Sequence, residues 1–271
     1  MTKQAECIAF ANLKGGTGKT TTCLSVGGYL AKGGSQVLIV DFDPQANATS
    51  GLGIDRTLLK HSLYDVFLEQ CDRSNGVPIT HIILETEVPN LHLVPSELDL
   101  VSVQILMQQM SDKVSILNQI LYKINEFYDY ILIDTPPDTG LFMLNALRAA
   151  KHVVVPLDFS IFSLEALDNL QTYCQDIEEN TGHKFNSFTV LLTRVIKSSL
   201  FCKFFHPPHP SEQIETKLKE MFSTVFVIPE SPEVYQAQRM GLPISHYTFN
   251  SKIGKAYENL TEYIKLICNC N

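Results

Sequence analysis

Cys7-Ile8-Ala9-Phe10-Ala11 runs through Asn12-Leu13 into Lys14-Gly15-Gly16-Thr17-Gly18-Lys19-Thr20, and this passage decides the fold. An apolar run, a glycine-rich turn and a helical stretch from Gly18 predict a strand, a loop and a helix N-terminus. That sequence of elements points several backbone N–H groups, and the positive end of the helix dipole, at one spot that suits an anion. The phosphate-loop pattern G-x-x-x-x-G-K-[ST] asks for glycine at its first position. Here that position holds Asn12 or Leu13, depending on alignment, so the match is to a deviant loop whose added element is Lys14. Lys19 is expected to reach the β- and γ-phosphates and the Thr20 hydroxyl to bind Mg²⁺. Glycine-rich turns close many strands without binding anything. Three glycines, a lysine and a threonine in register behind an apolar strand favour the nucleotide reading.

Two further segments fit the same site. Gln36-Val37-Leu38-Ile39-Val40 reads as a buried parallel strand and ends in Asp41-Phe42-Asp43-Pro44-Gln45. Tyr128 to Ile133 is another, ending in Asp134-Thr135-Pro136-Pro137. In an open α/β sheet, ligands sit outside the carboxyl ends of the strands, so these carboxylates are expected to face phosphates bound after the first strand. Asp134 suits Mg²⁺, held through water, because a hard cation prefers oxygen and keeps part of its hydration shell. Asp43 suits orienting the attacking water and completing the metal surroundings. Strand-end aspartates also cap helices, a reading that weakens when both occur with the loop.

These residues resemble the ParA/MinD group of deviant-Walker ATPases, and most closely the ParA (Soj) branch. The resemblance runs through Asn12 to Thr22, Asp41 to Gly53, Val94-Pro95-Ser96, Ile131 to Ala146, Val153 to Leu167 and Val227 to Ile244. It implies ATP and Mg²⁺ as ligands and a homodimer that sandwiches the nucleotide. Lys14 would reach the partner subunit's nucleotide, and Gly15 would let two backbones approach. Lys14, Lys19 and Asp43 would serve hydrolysis, and Asp43 would join Thr20 and Asp134 around the metal. Gly15, Gly16, Thr17, Gly18, Lys19, Thr20, Thr21 and Pro229 would contact nucleotide, and Asp134 to Gly140 would sense the γ-phosphate. The expected role is plasmid or chromosome partition, or cargo positioning, with slow hydrolysis stimulated by a ParB-like adaptor.

The apolar runs Cys7–Ala11, Val37–Val40, Leu91–Val94, Tyr130–Ile133, Val153–Val155, Val190–Leu192 and Val225–Ile228 alternate with stretches long enough for helices. They predict an α/β fold of three layers with a mainly parallel twisted sheet and helices on both faces, and the resemblance implies that this is the P-loop NTPase fold. With 271 residues, 45% of them hydrophobic, and no dividing linker, a single domain over 1–271 is expected. The chain has no apolar run long enough for a transmembrane helix, and because Met1 to Glu6 leads at once into the first apolar run, no signal peptide is expected. Seven scattered cysteines fit a reducing cytosol. A cytoplasmic protein is expected, nucleoid-associated if it binds DNA.

The net charge of −8 argues against a uniformly basic DNA-coating protein. From Lys184 onward, however, ten Lys and Arg face seven Asp and Glu. ParA relatives bind nonspecific DNA through basic residues in this region, and the candidates are Arg194, Lys197, Lys203, Arg239, Lys252 and Lys255. Glu230 and Glu233 stand where many relatives carry basic residues, and would repel phosphate. The stretch Ser198 to Ser211, with its prolines, reads as an irregular surface loop. A last helix, roughly Ile253 to Ile267, places Tyr257, Leu260, Ile264 and Ile267 at helical spacing and has little of the basic character of membrane-binding MinD tails. Cys202 with His206 and His209, or Cys268 with Cys270, has metal-ligand spacing without a full tetrahedral set. A metal-cofactor insertion ATPase of the same fold would need interface cysteines after the switch segment, and none lies between Asp134 and Tyr173. A MinD-like regulatory positioning ATPase is the other alternative.

Overall fold

The computed structural model describes residues 4–71, 75–160, 162–196 and 210–269. Its centre is an eight-stranded sheet. The strands are β1 (Glu6–Phe10), β2 (Val37–Asp41), β3 (Leu84–Glu85), β4 (Leu91–Val94), β5 (Tyr130–Asp134), β6 (His152–Leu157), β7 (Ser187–Val195) and β8 (Val225–Pro229). Their spatial order is β3-β4-β2-β5-β1-β6-β7-β8. All the pairings are parallel except that of β3 with β4. Seven strands coincide with the apolar runs. The eighth, β3, has two residues, too few for any periodicity to register.

Continuous apolar runs become strands here because successive side chains leave a strand on opposite faces, and both faces are covered. Ile8 and Phe10 enter one core, while Ala9 and Ala11 enter another on the other side. Val37 and Ile39 divide from Leu38 and Val40 in the same way. One face carries α1 (Lys19–Lys32) and the C-terminal helix Lys252–Asn269. The other carries α2 (Leu63–Gln70), α3 (Leu100–Gln108), α4 (Ile116–Tyr122), α5 (Leu141–Ala149) and α6 (Phe162–Thr181). Each fully buried aliphatic or aromatic side chain contributes about 1.5–3 kcal/mol, so both layers are held by the sheet they cover.

Two local expectations change. Pro210 opens a helix, Pro210–Met221, at a first-turn position that tolerates its missing N–H. The last helix is longer at both ends than its apolar spacing indicates; Tyr257, Leu260 and Ile264 are buried and Ile267 is half-buried.

Close backbone approaches bind the two ends of the chain together. Gly28, in α1, lies against the start of the short helix Ile244–Tyr247, and a Cβ there would fall 2.6 Å from Pro243 Cγ and onto the Ser245 hydroxyl. A Cβ at Gly241 would fall 2.6 Å from Gly53 Cα, and both glycines have positive φ. Gly28→Ala gains helix propensity worth about 1 kcal/mol but overpacks a tight crossing at about 1–3 kcal/mol. A lower urea midpoint is therefore expected for this variant, and an unchanged or higher one would show that α1 can shift away at little cost.

Candidate functional site

Because β1 is central, flanked by β5 and β6, the loop after it emerges where three strand ends converge. Asn12 fixes the start of that loop. Its side-chain amide donates to the Pro156 carbonyl at 2.6 Å, and its Oδ1 accepts from the Lys14 N–H at 2.8 Å. The asparagine at the position where the general pattern has glycine thus ties the loop to the end of β6. Gly16 and Gly18 adopt φ of 72° and 92°, a left-handed backbone that favours glycine. Gly18 is the residue before α1, so the amides of the first helical turn open onto the loop without an acidic side chain of their own. Thr193, on β7, donates to the Thr17 and Leu157 carbonyls at 2.9 and 3.0 Å and closes the loop from the other side.

The two lysines diverge. Lys19 is 6% exposed, and its Nζ donates back to the Lys14 carbonyl at 3.3 Å. Burial lowers its pKa, while Asp134, Asp43 and Asp138 act to keep it charged. The Lys14 ammonium instead donates to Asp158 Oδ2 and to Ser160 Oγ, both at 2.6 Å. Burial opposes the charge of Asp158, but hydrogen bonds from Lys14, Ser163 and Ser160 outweigh it and hold that carboxyl down at about 2. Arg194, on β7 with φ 56°, adds a second cation 3.5 Å from Asp158.

Strand register brings the carboxylates together. Asp134 lies opposite Phe10 on one side and Asp41 on the other. Its Oδ2 accepts from the Thr20 hydroxyl at 2.7 Å, while its Oδ1 is buried without a hydrogen-bond partner among the described residues. Burial and the adjacent Asp41 push the Asp134 carboxyl well above its ordinary range, against the pull of Thr20 and Lys19. Asp41 is fully buried and accepts from the Thr49 N–H and hydroxyl, both at 2.7 Å. Burial nevertheless pushes it up to about 7. Asp43, 6% exposed, accepts from the Gln45 N–H at 2.9 Å, and burial raises its pKa as well.

A buried acceptor with an empty lone pair direction, a neighbouring hydroxyl, and three carboxylates set against one ammonium describe an excess of hard oxygen donors. A hydrated divalent cation fits that set, and Thr20, Asp134 and Asp43 are the residues that would hold it.

Asp43 and the loop residues Gly15, Gly16, Gly18 and Lys19 line a cleft of about 700 Å³ with Thr20, Thr21, Pro137, Pro229 and residues from the helix Pro232–Arg239, and the buried Asp134 lies behind Thr20. Gln238, on that helix, donates to the Thr21 hydroxyl at 3.2 Å. The structure thus gathers Lys14 through Thr21, Asp43, Asp134 and Pro229 at one place. Asp41, Asp158, Ser160, Thr193 and Gln238 join them without having been singled out from sequence. Asp158 ends β6 as Asp134 ends β5, so the same strand-end rule points to it.

Among the basic candidates, Arg194 is in the cleft wall and paired with Asp158, whereas Arg239, Lys252 and Lys255 are exposed on the last two long helices. Lys197, Lys203, Cys202, His206, His209 and Cys270 lie outside the described residues.

Strand, nest-forming loop, helix N-terminus and strand-end carboxylates define a P-loop nucleotide-binding protein. A family model described as an AAA domain matches residues 5–187. The chain is 34% identical over 262 residues to the chromosome-partitioning ATPase Soj of Treponema pallidum, covering 95% of this chain and 96% of that one. It is 32% identical over 262 residues to the chromosome partitioning protein ParA of Caulobacter vibrioides, covering 95% and 92%. Among solved structures, an McdA–ATP complex from Cyanothece superposes with a TM-score of 0.84 at 23% identity, covering 97% of both chains, a likeness that carries the fold. The chain belongs to the ParA/MinD group of deviant-Walker P-loop ATPases. Among its described residues, no helix is long and apolar enough to cross a membrane.

Proposed function

We propose that this chain is a ParA-type ATPase that binds ATP with Mg²⁺, dimerises around the nucleotide and hydrolyses it slowly when stimulated by a ParB-like adaptor. The observation that carries this reading is the separation of the two loop lysines. Lys19 points into its own loop, whereas Lys14 is one-third exposed and held beside it on Asp158 and Ser160. A cation placed at the rim of a site can meet charge developing on a second molecule's phosphate. Gly15 supports the same reading. A Cβ at that position would meet nothing closer than Pro137 at 3.9 Å, and its φ is not positive. No crowding among the described residues requires glycine there, whereas a second backbone packed across the loop would.

In this reading, the loop amides and Lys19 hold the phosphates, and Asp43 orients the attacking water. Mg²⁺, held by Thr20 and Asp134, would neutralise charge on the β- and γ-phosphates. Loss of the γ-phosphate would release the segment Asp134 to Gly140 and loosen the dimer, so that hydrolysis times a switch. DNA or cargo segregation in the cytoplasm is the role that the partition relatives suggest. Nonspecific DNA contacts would use Arg239, Lys252 and Lys255, with Arg194 engaged at the cleft.

The test is Lys14→Gln, measured by light scattering with and without ATP, together with turnover. We expect ATP still to bind while ATP-dependent dimerisation or turnover falls at least tenfold. Wild-type dimerisation together with a wild-type rate would remove Lys14 from any cross-subunit role.

A further inference from the structure

At the amino ends of the strands, opposite the nucleotide cleft, β1 begins with Glu6 and β6 begins with His152. The C-terminal helix brings Cys268 onto the same spot. One ligand atom from each of the three residues lies within 4.8 Å of the others. His152 is 1% exposed, Cys268 is 7% exposed, and Glu6 is half-buried, which leaves one side open to water. The imidazole is already oriented. Its Nδ1 is 2.7 Å from the Ser187 hydroxyl, which leaves Nε2 facing Glu6 Oε2 at 3.3 Å. The other Glu6 oxygen accepts from Lys151 at 3.3 Å, which anchors the carboxylate. None of these residues belongs to the nucleotide site.

We propose that Glu6, His152 and Cys268 form a binding site for Zn²⁺ that fastens the C-terminal helix to the amino edge of the sheet. A thiolate, an imidazole and a carboxylate are the donor types that zinc takes. Ligands placed about 2.0–2.3 Å from a tetrahedral ion stand roughly 3.3–3.8 Å apart, so side-chain movements of about 1 Å close the set. Water supplies the fourth position from the Glu6 side. The Ser187 and Lys151 contacts are the outer hydrogen bonds that fix a metal-binding imidazole and carboxylate in place. Binding removes the proton of the Cys268 thiol to solvent and forms the Zn–S bond. A sulfur and nitrogen donor set disfavours Mg²⁺, so this site and the oxygen-lined cleft select different ions.

The test uses the full-length untagged chain, stripped with chelator and dialysed against low-micromolar free Zn²⁺. Zinc is counted by emission spectroscopy, and the unfolding midpoint is read with and without the ion. We expect about one zinc per chain and a zinc-dependent rise in midpoint. Both should be lost in Cys268→Ser and in His152→Gln and kept in a variant carrying Cys202→Ser, His206→Gln and His209→Gln. Because either substitution can lower stability in its own right, Co²⁺ on the wild-type chain is the second measurement, and a thiolate-to-cobalt charge-transfer band is expected. A wild-type chain that takes up no zinc and shows no such band overturns the proposal, as does zinc retained in both single variants. A failure here leaves the nucleotide reading untouched, because ATP binding is measured separately.

Discussion

Lys19→Ala is expected to lose ATP binding by about 10- to 100-fold, because a charge-assisted hydrogen bond to phosphate contributes about 1.5–3 kcal/mol. Turnover should fall further, by about 10²–10³, since under the proposed function the same ammonium would face charge that builds during phosphoryl transfer. The geometry makes the effect local. Lys19 is buried, its Nζ donates to the Lys14 carbonyl alone among the described residues, and Asp134, Asp43 and Asp138 are charges near it. Removing it leaves carboxyls whose pKa values burial already raises at Asp134, Asp41 and Asp43. These groups can relieve the lost cation by binding protons, so the fold should survive. Titration with a fluorescent ATP analogue, beside a thermal melt, checks both halves. Wild-type affinity in a folded Lys19→Ala variant would mean that phosphate is held elsewhere.

Asp43→Ala is expected to separate binding from chemistry. Asp43 follows β2 at the rim of the cleft, and one of its oxygens is occupied by the Gln45 N–H. The other oxygen accepts no hydrogen bond among the described residues and could take one from a water or a hydrated ion. Its raised pKa has burial as its main cause, and a carboxylate of that kind accepts a hydrogen bond from a nucleophilic water strongly. Turnover should fall by about 10²–10⁴, the range for a positioned acid or base, while ATP affinity stays within a few-fold. The same variant should accumulate as the ATP-bound dimer under the reading proposed above. Phosphate release at saturating ATP is the decisive measurement, and an unchanged rate would remove Asp43 from the hydrolytic machinery.

The strands were legible because parallel strands covered on both faces read as unbroken apolar runs. The Leu38-Ile39-Val40 segment needs no alternation to declare itself. The antiparallel pair of Leu84–Glu85 with β4 has no such signal and comes from the structure alone. Within the site, the loop and the strand-end aspartates could be read because their chemistry is local in sequence. The partners of Lys14 could not, since Asp158 and Ser160 are more than 140 residues away and only the sheet order brings β6 beside β1. Asp41 was within the quoted run, yet its bonds to Thr49 depend on how the following helix folds back. The Glu6, His152 and Cys268 group draws on three distant segments for the same reason.

The bare contact between Gly53 and Gly241 limits how this chain can be recombined. One glycine follows the segment that carries Asp43, and the other follows the helix that supplies Gln238 to the cleft. A chimera that takes its first part from this chain and its last part from a relative inherits one half of that contact from each parent. Unless both parents bring a residue without a side chain, the two loops are forced apart, and the wall of the cleft moves with them. Crossover points between these two glycines are therefore coupled, and a productive exchange carries both positions together.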